Sequence, residues 1–302
     1  MDIEFSDTVD NYSIDCAIIE PFYARSVRRS NGTIYSSLEI ESDLTRLIER
    51  LYRDRKYIMW YDSEGYFTEK YPRSNSHNYD VELGHRLLSV IDLSYDNQGF
   101  ATPMSKHPML PKFKCSEYVP FNVDRKQLPS SIGELSGRER LLTYVGNNYR
   151  RSHVLPVLYH ASEIGLTRLI GGGWKLANGT LIDYKGSLEL DSHSVLNEYR
   201  QSAVGLFTSP PDWVEYGHRT LRIRELVCSG TLIIPEEHLY DHCGIDEIHT
   251  RSPMLSYYLY EVENKMSDNE YESKVRLQRD LIMSHYDSAM YVSTYKKFLG
   301  LV

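Results

Sequence analysis

The longest apolar runs in this chain are four to six residues, such as Val204–Phe207 and Leu232–Pro235. A bilayer span needs roughly 20, so none of these runs crosses a membrane. Runs this short, separated by Pro, Gly and Asp, predict a globular chain built from many short elements. From Val154 onward they read as strands over 154–159, 204–207, 220–225 and 231–234. Helical pieces are expected near 162–170, 192–200 and 210–217. A longer C-terminal helix starts behind the capping pattern Ser267-x-x-Glu270, with Tyr271, Val275 and Ile282 on one face and Leu277 and Leu281 widening it.

The first 125 residues hold mixed α/β signals. Ser42 is a candidate N-cap for a helix carrying Leu44, Leu47, Ile48 and Leu51. Residues 56–61 read as a strand, 62–65 as a turn, and 66–68 as the start of a return strand in a hairpin. Asp80 is placed to cap a second helix with Leu83, Leu87 and Ile91 on one face. Pro103, Pro108, Pro111, Pro120 and Pro129 then punctuate a stretch of weak periodicity, which reads as an extended connector. Ser136-x-x-Glu139 resembles a capping box before Leu141, Leu142 and Val145, with Gly146 as a stop. A boundary between about 125 and 150 divides the 302 residues into an N-terminal domain, 1–130, and a second domain, 131–302.

A net charge of −8 argues against broad binding to nucleic acid, which needs a positive field, though it leaves room for a local basic groove. Cys16, Cys115, Cys228 and Cys243 are too scattered for a disulfide framework and read as reduced thiols. The acidic start, Met1-Asp2-Ile3-Glu4, lacks the order of a secretory leader, so a cytoplasmic setting is the expectation.

One constellation speaks to chemistry. Leu158-Tyr159-His160-Ala161-Ser162 reads as an apolar strand ending on a histidine. About 45 residues later, Gly205-Leu206-Phe207-Thr208-Ser209-Pro210 presents a hydroxyl pair, and Tyr216 follows. Two strand ends can bring an imidazole and a phenol into one cleft. The same residues also have plain structural readings. His160 can be satisfied by backbone, Tyr216 can fill a gap beside Trp213, and Thr208-Ser209 can be a helix cap.

Over residues 154–265 this pattern resembles the ADP-ribosyltransferase superfamily, in particular its His-Tyr-Glu branch. The resemblance implies an α+β chain: an N-terminal mixed α/β domain suited to target recognition, followed by a split antiparallel β-sheet domain with flanking helices. It implies NAD as substrate and ADP-ribose transfer, a glycosyltransferase-class reaction, to a macromolecular acceptor (protein or nucleic acid), or hydrolysis of NAD. By resemblance, His160 would bond the adenine-side ribose, Tyr216 would stack on nicotinamide, and Ser162, Thr208 and Ser209 would support the dinucleotide. Gly172, within Gly171-Gly172-Gly173, would let backbone approach it. The family's late glutamate has candidates in Glu247 and in the Glu261/Glu263 pair; that pair matches the Arg-Ser-Glu branch, whose arginine position here is His160. The alternative is a binding factor for protein or nucleic acid with a vestigial cleft.

Two further clusters compete. His238, His242, Cys243 and His249 carry nitrogen and sulfur ligands but lack zinc-module spacing. Arg46, Arg50, Arg53, Arg55 and Lys56, interleaved with Tyr52, Tyr57, Trp60 and Tyr61, could follow a single strand by charge and stacking, or could be a solvated helix face over a core.

Overall fold

The structure is a computed structural model, and it describes residues 16–19, 37–62, 88–118, 123–148, 152–187, 192–208, 215–217, 222–235, 255–289, 292–293 and 296. The chain divides into two compact units, Met1–Pro120 with Val292–Val302, and Phe121–Tyr291.

In the first unit, β1 (Cys16–Ile19), α1 (Ser37–Arg53), β2 (Tyr57–Tyr61), β3 (Gln98–Thr102) and β4 (Ser116–Tyr118) follow in order. The four strands form one parallel sheet in the order β1-β2-β3-β4, with Ala17 opposite Ile58 and Phe100 opposite Ser116. Ile48 and Leu51 of α1 pack on Ile58, Trp60 and Phe100. The helix ends at Arg55, whose φ of 53° is the left-handed conformation that releases the chain into β2. The expected hairpin is therefore not the neighbour of β2: its partners are β1 and β3, both parallel, and residues 66–68 lie outside the described residues. The proline-punctuated stretch holds β3 and β4. Every residue of β3 is buried, so the alternation that marks a half-exposed strand is missing from its sequence.

Directly after β2, Asp62 is buried against His107, with His107 Nε2 3.0 Å from the carboxylate. His107 Nδ1 accepts the Met109 N–H at 3.1 Å, which leaves Nε2 as the nitrogen that donates to Asp62.

The second unit is built from β5 (Arg140–Val145), α2 (Leu155–Ile164), β6 (Thr167–Ile170), β7 (Asp183–Tyr184), α3 (Ser192–Arg200), β8 (Ser202–Phe207), α4 (Arg222–Ser229), β9 (Leu232–Pro235), α5 (Leu255–Asn264) and α6 (Asp268–Tyr286). Its five strands are all parallel, in the order β7-β6-β5-β8-β9. One apolar layer joins the sheet to Leu158 and Ala161 of α2, Leu259 and Val262 of α5, and Tyr271 and Val275 of α6. The opposite layer joins it to Val195 and Tyr199 of α3 and Ile223 and Leu226 of α4. At Gly205 a β-carbon would stand 2.1 Å from Leu226 Cδ2, so glycine is what lets α4 lie this close to β8.

The expected split antiparallel sheet is thus corrected to an all-parallel one. The physical reason lies in the connections. A helix, α2, occupies residues expected as the strand 154–159, and Pro156 suits its first turn. A second helix, α4, starts at Arg222, inside the segment expected as the strand 220–225. Helical crossovers between successive strands return the chain to the same end of the sheet, which makes the strands parallel. Among the described residues no helix is long and apolar enough to cross a membrane.

Gln278 of α6 closes the outer side of β9, and Tyr271 of the same helix bridges β8 and β9 at their amino ends. Gln278 Oε1 accepts the Ile233 N–H at 2.8 Å and its Nε2 donates to the Ile233 carbonyl at 2.7 Å. Tyr271 accepts from the Leu232 N–H at 3.3 Å and donates to the Ala203 carbonyl at 2.6 Å.

Candidate functional site

In a parallel α/β sheet, ligands bind outside the carboxyl ends of the strands where the strand order reverses. In the second unit that point is β5: the chain runs to β6 and β7 on one side, then crosses to β8 and β9 on the other. The edge there is formed by Gly146-Asn147-Asn148 after β5, Gly171-Gly172-Gly173 after β6 and Thr208 after β8.

The first two loops are laced together by backbone. Gly146 N–H donates to the Ile170 carbonyl at 2.7 Å, Asn148 N–H to the Gly172 carbonyl at 2.9 Å, and Gly171 N–H to the Gly186 carbonyl at 2.7 Å. Asn147 Oδ1 accepts the Gly172 N–H at 2.6 Å, and the buried Trp174 donates from Nε1 to the Gly146 carbonyl at 2.7 Å. Gly171 has φ +140° and a β-carbon there would stand 2.0 Å from the Gly146 carbonyl oxygen. Only glycine allows this approach. On the β8 side, Thr208 Oγ1 lies 3.5 Å from His153 Nε2.

Arg222, the first residue of α4, is a cation at this edge. Its Nη1 donates to the Tyr199 hydroxyl at 3.2 Å and lies 2.8 Å from Glu225 Oε2. The side chain is 22% exposed, enough to be reached by solvent. Tyr199 is fully buried, and its hydroxyl also accepts the N–H of Val145, the last residue of β5, at 3.3 Å. Burial pushes the Tyr199 phenol up to about 12, so it is neutral under ordinary conditions.

The residues singled out from sequence are only partly gathered here. Gly172 and Thr208 stand on the edge just described. His160 is a solvent-facing residue of α2, its Nδ1 3.9 Å from Glu163 Oε2, because the segment is a helix and presents no strand end. Ser162 is buried on the same helix and donates to the Tyr159 carbonyl at 2.8 Å. Glu261 and Glu263 lie near the end of α5, and the Glu263 carboxyl rests against Gly165, which precedes β6 at the opposite, amino edge of the sheet. Partial burial pushes that carboxyl above its ordinary value. Tyr216 is half-buried in the short described segment 215–217. Ser209, Glu247 and the histidine–cysteine cluster at 238–249 lie outside the described residues. Of the basic-aromatic cluster, Trp60 and Tyr61 are core residues, Tyr52 is half-buried with its hydroxyl on the Val90 carbonyl at 3.3 Å, and Arg50 and Arg53 both meet Asp54.

Sequence reasoning missed Asn147, His153, Tyr199 and Arg222. A signal for the first was present: an apolar run, 141–145, ending on Gly-Asn-Asn is a strand followed by a tight loop.

No protein-family model matches the chain, and a search of curated proteins finds no match. Solved structures do match. One described as trehalose-6-phosphate from E. coli bound with UDP-2-fluoro glucose is 11% identical, with a TM-score of 0.53 over 90% of this chain and 81% of that chain. WaaG, a glycosyltransferase involved in lipopolysaccharide biosynthesis, is 9% identical, with a TM-score of 0.47 over 86% of this chain and 81% of that chain. The first of these shares the fold, two parallel α/β sheets. The resemblance to ADP-ribosyltransferases is corrected accordingly, since that family's antiparallel split sheet is not the sheet found here. The NAD-dependent ADP-ribosyl transfer inferred from it, with NAD as substrate, falls with it.

Proposed function

We propose that this chain is a glycosyltransferase that takes a nucleoside-diphosphate sugar at the carboxyl edge of the second unit's sheet. The observation that carries the reading is Arg222, held by Tyr199 and Glu225 at the edge where the sheet order reverses. In sugar transfer the bond between the anomeric carbon and the diphosphate oxygen breaks, and a bond from that carbon to an acceptor oxygen forms. The diphosphate leaves with the electron pair, and the acceptor hydroxyl's proton passes to the departing diphosphate oxygen. The anomeric carbon passes through an oxocarbenium-like state, and charge grows on the leaving diphosphate. A fixed guanidinium at that position stabilises the growing charge without rearranging. The glycine loops let donor atoms approach main chain that a side chain would shield. A fold alone does not define chemistry, so the edge residues and the parallel architecture are taken together. The acceptor we propose is a macromolecule, protein or nucleic acid.

Calorimetric titration with UDP, UDP-glucose, a thymidine diphosphate sugar and NAD tests the reading. A nucleoside diphosphate is expected to bind, NAD is not, and Arg222→Ala weakens the binding by about tenfold or more. Absence of binding by every nucleoside diphosphate, or binding indifferent to Arg222, refutes it. Transfer of labelled sugar to candidate macromolecules then reads the acceptor.

A further inference from the structure

We propose that Tyr199 is a positioning residue: it fixes Arg222 for the donor's diphosphate and ties that guanidinium to the end of β5. The inference rests on the donor reading above and deepens it.

Tyr199 sits on α3, within the apolar layer shared with Val195, Phe207, Ile223 and Leu226. A buried phenol normally finds one partner for its hydroxyl. This hydroxyl accepts two, and both belong to the carboxyl edge: the Val145 N–H at 3.3 Å and Arg222 Nη1 at 3.2 Å. Val145 immediately precedes Gly146 and Asn147, whose side-chain oxygen holds the Gly172 amide. One oxygen atom therefore connects the β5 loop to the first residue of α4, two elements far apart in sequence.

The chemistry of the two anchors differs. Glu225 neutralises part of the Arg222 charge. Tyr199, its phenol pushed up to about 12 by burial, accepts as a neutral group and leaves the charge available to an anion. A guanidinium has five donors in a planar fork. Both contacts fall on one nitrogen, Nη1, so the fork is held there while its other donors stay open to an anion, and preorganisation of this kind appears as affinity.

The test is a double-mutant cycle of Tyr199→Phe and Arg222→Ala, read by UDP affinity and by thermal unfolding. Phenylalanine keeps the buried ring and removes the hydroxyl. Tyr199→Phe is expected to weaken UDP by about fivefold, the equivalent of one hydrogen bond, in the wild-type background and to have no effect in the Arg222→Ala background. A merely structural hydroxyl would lower the unfolding temperature in both backgrounds and leave UDP affinity alone, or would shift affinity equally in both; either result overturns the proposal. Should the phenylalanine variant not fold, 3-fluorotyrosine placed at 199 keeps the hydroxyl and weakens it as an acceptor. UDP affinity must then fall in the same direction by a smaller factor, and an unchanged affinity overturns the proposal. If the wild type binds no nucleoside diphosphate, both readings fail. If Arg222→Ala weakens UDP and Tyr199→Phe does not, only the positioning role fails.

Discussion

Gln278→Leu offers the sharpest test of how the second unit is held together. The side-chain amide of Gln278 does for β9 what a sixth strand would do: it accepts the outward N–H of Ile233 at 2.8 Å and donates to the outward carbonyl at 2.7 Å. Gln278 is 2% exposed, and so is Ile233, so water does not replace the amide when it is removed. A backbone group left buried and unpaired costs about 1–3 kcal/mol. Two such groups on one residue give a loss of about 2–6 kcal/mol, a large share of the roughly 5–15 kcal/mol that stabilises an ordinary domain. Leucine has nearly the shape of glutamine, so cavity formation adds little and the loss reports the hydrogen bonds.

A global unfolding curve would blend two units. Native-state hydrogen exchange at the Ile233 amide reads the site directly. Its protection in the wild type is expected to match the most stable part of the second unit and to fall by the same amount, about 2–6 kcal/mol, in the variant. Leu277→Gln is the control, since Leu277 is 55% exposed one position away on α6; it is expected to stay within about 0.5 kcal/mol of wild type. A Gln278→Leu loss below about 1 kcal/mol, or an Ile233 amide whose exchange does not change, would show that β9 does not depend on the side-chain amide.

Three other outcomes follow from the geometry. Gly171→Ala forces a β-carbon onto the Gly146 carbonyl oxygen at a φ of +140°. It is expected to cost about 1–3 kcal/mol in backbone strain alone and to abolish UDP binding, measured by thermal unfolding and titration. Arg138 donates to the carbonyls of Arg200, Gly133 and Gly230, the last at 3.0 Å, while its guanidinium lies 5.5 Å from the Tyr271 ring centre. Arg138→Lys keeps the charge but loses the fork, and denaturant unfolding is expected to show a loss of about 2–4 kcal/mol. Burial pushes the Asp183 carboxyl up, but hydrogen bonds from Lys185 and Arg168 outweigh it and hold the group below its ordinary value. A depressed carboxylate stabilises the fold above its unfolded pKa and loses that contribution as pH falls through the folded value. Acid unfolding below the ordinary carboxylate range should therefore be less steep in Arg168→Gln than in wild type.

The elements legible in the sequence were those whose pattern leaves one answer. The face of α1 was readable from Ile48 and Leu51, and that of α6 from Tyr271, Val275 and Ile282, all buried. The Ser267 cap was readable too: its hydroxyl accepts the Glu270 N–H at 3.3 Å. Strands β2, β8 and β9 fall where apolar runs predicted them. The failures share a cause. Residues 154–159 form a short apolar run that serves a buried helix as well as a strand, and periodicity over six residues cannot separate the two. Ser136-x-x-Glu139 has the letters of a capping box, yet it precedes β5, whose six residues are all buried, and Ser136 bonds Asp268 of α6. Because 155–164 is a helix, His160 ends no strand, and the antiparallel sheet implied by the ADP-ribosyltransferase resemblance has no counterpart in the all-parallel sheet. At the edge itself, Gly172 and Thr208 could be seen because glycine and hydroxyl residues after apolar runs mark strand ends. Arg222 and Tyr199 could not, because their meeting depends on how α3 and α4 cross the sheet, and no local pattern encodes that.

The two edges of the second unit's sheet are built on opposite principles, and the difference bears on function. At the amino edge, charged and hydroxyl side chains bind the main chain across large sequence separations: Arg138 collects carbonyls from three segments, and the Ser136 amide and hydroxyl both donate to Asp268, at 2.8 and 2.9 Å. Most of these donors and acceptors are consumed by the fold, Arg138 Nε being the buried exception. At the carboxyl edge the loops are held by main chain and by a few side chains, Asn147, Asn148, Trp174 and Tyr184, all of which bond loop backbone, and glycine stands where a side chain would obstruct. That edge costs stability, since glycine adds entropy to the unfolded chain and nothing to the core. A protein keeps such an edge where the open backbone serves another molecule, and the amino edge supplies the rigidity that keeps the open one in shape. Weakening Arg138 should therefore lower stability without changing UDP affinity at temperatures where the chain stays folded, whereas changing Gly171 should alter both. If the Arg138→Lys variant lost affinity while fully folded, the division of labour between the edges would be wrong.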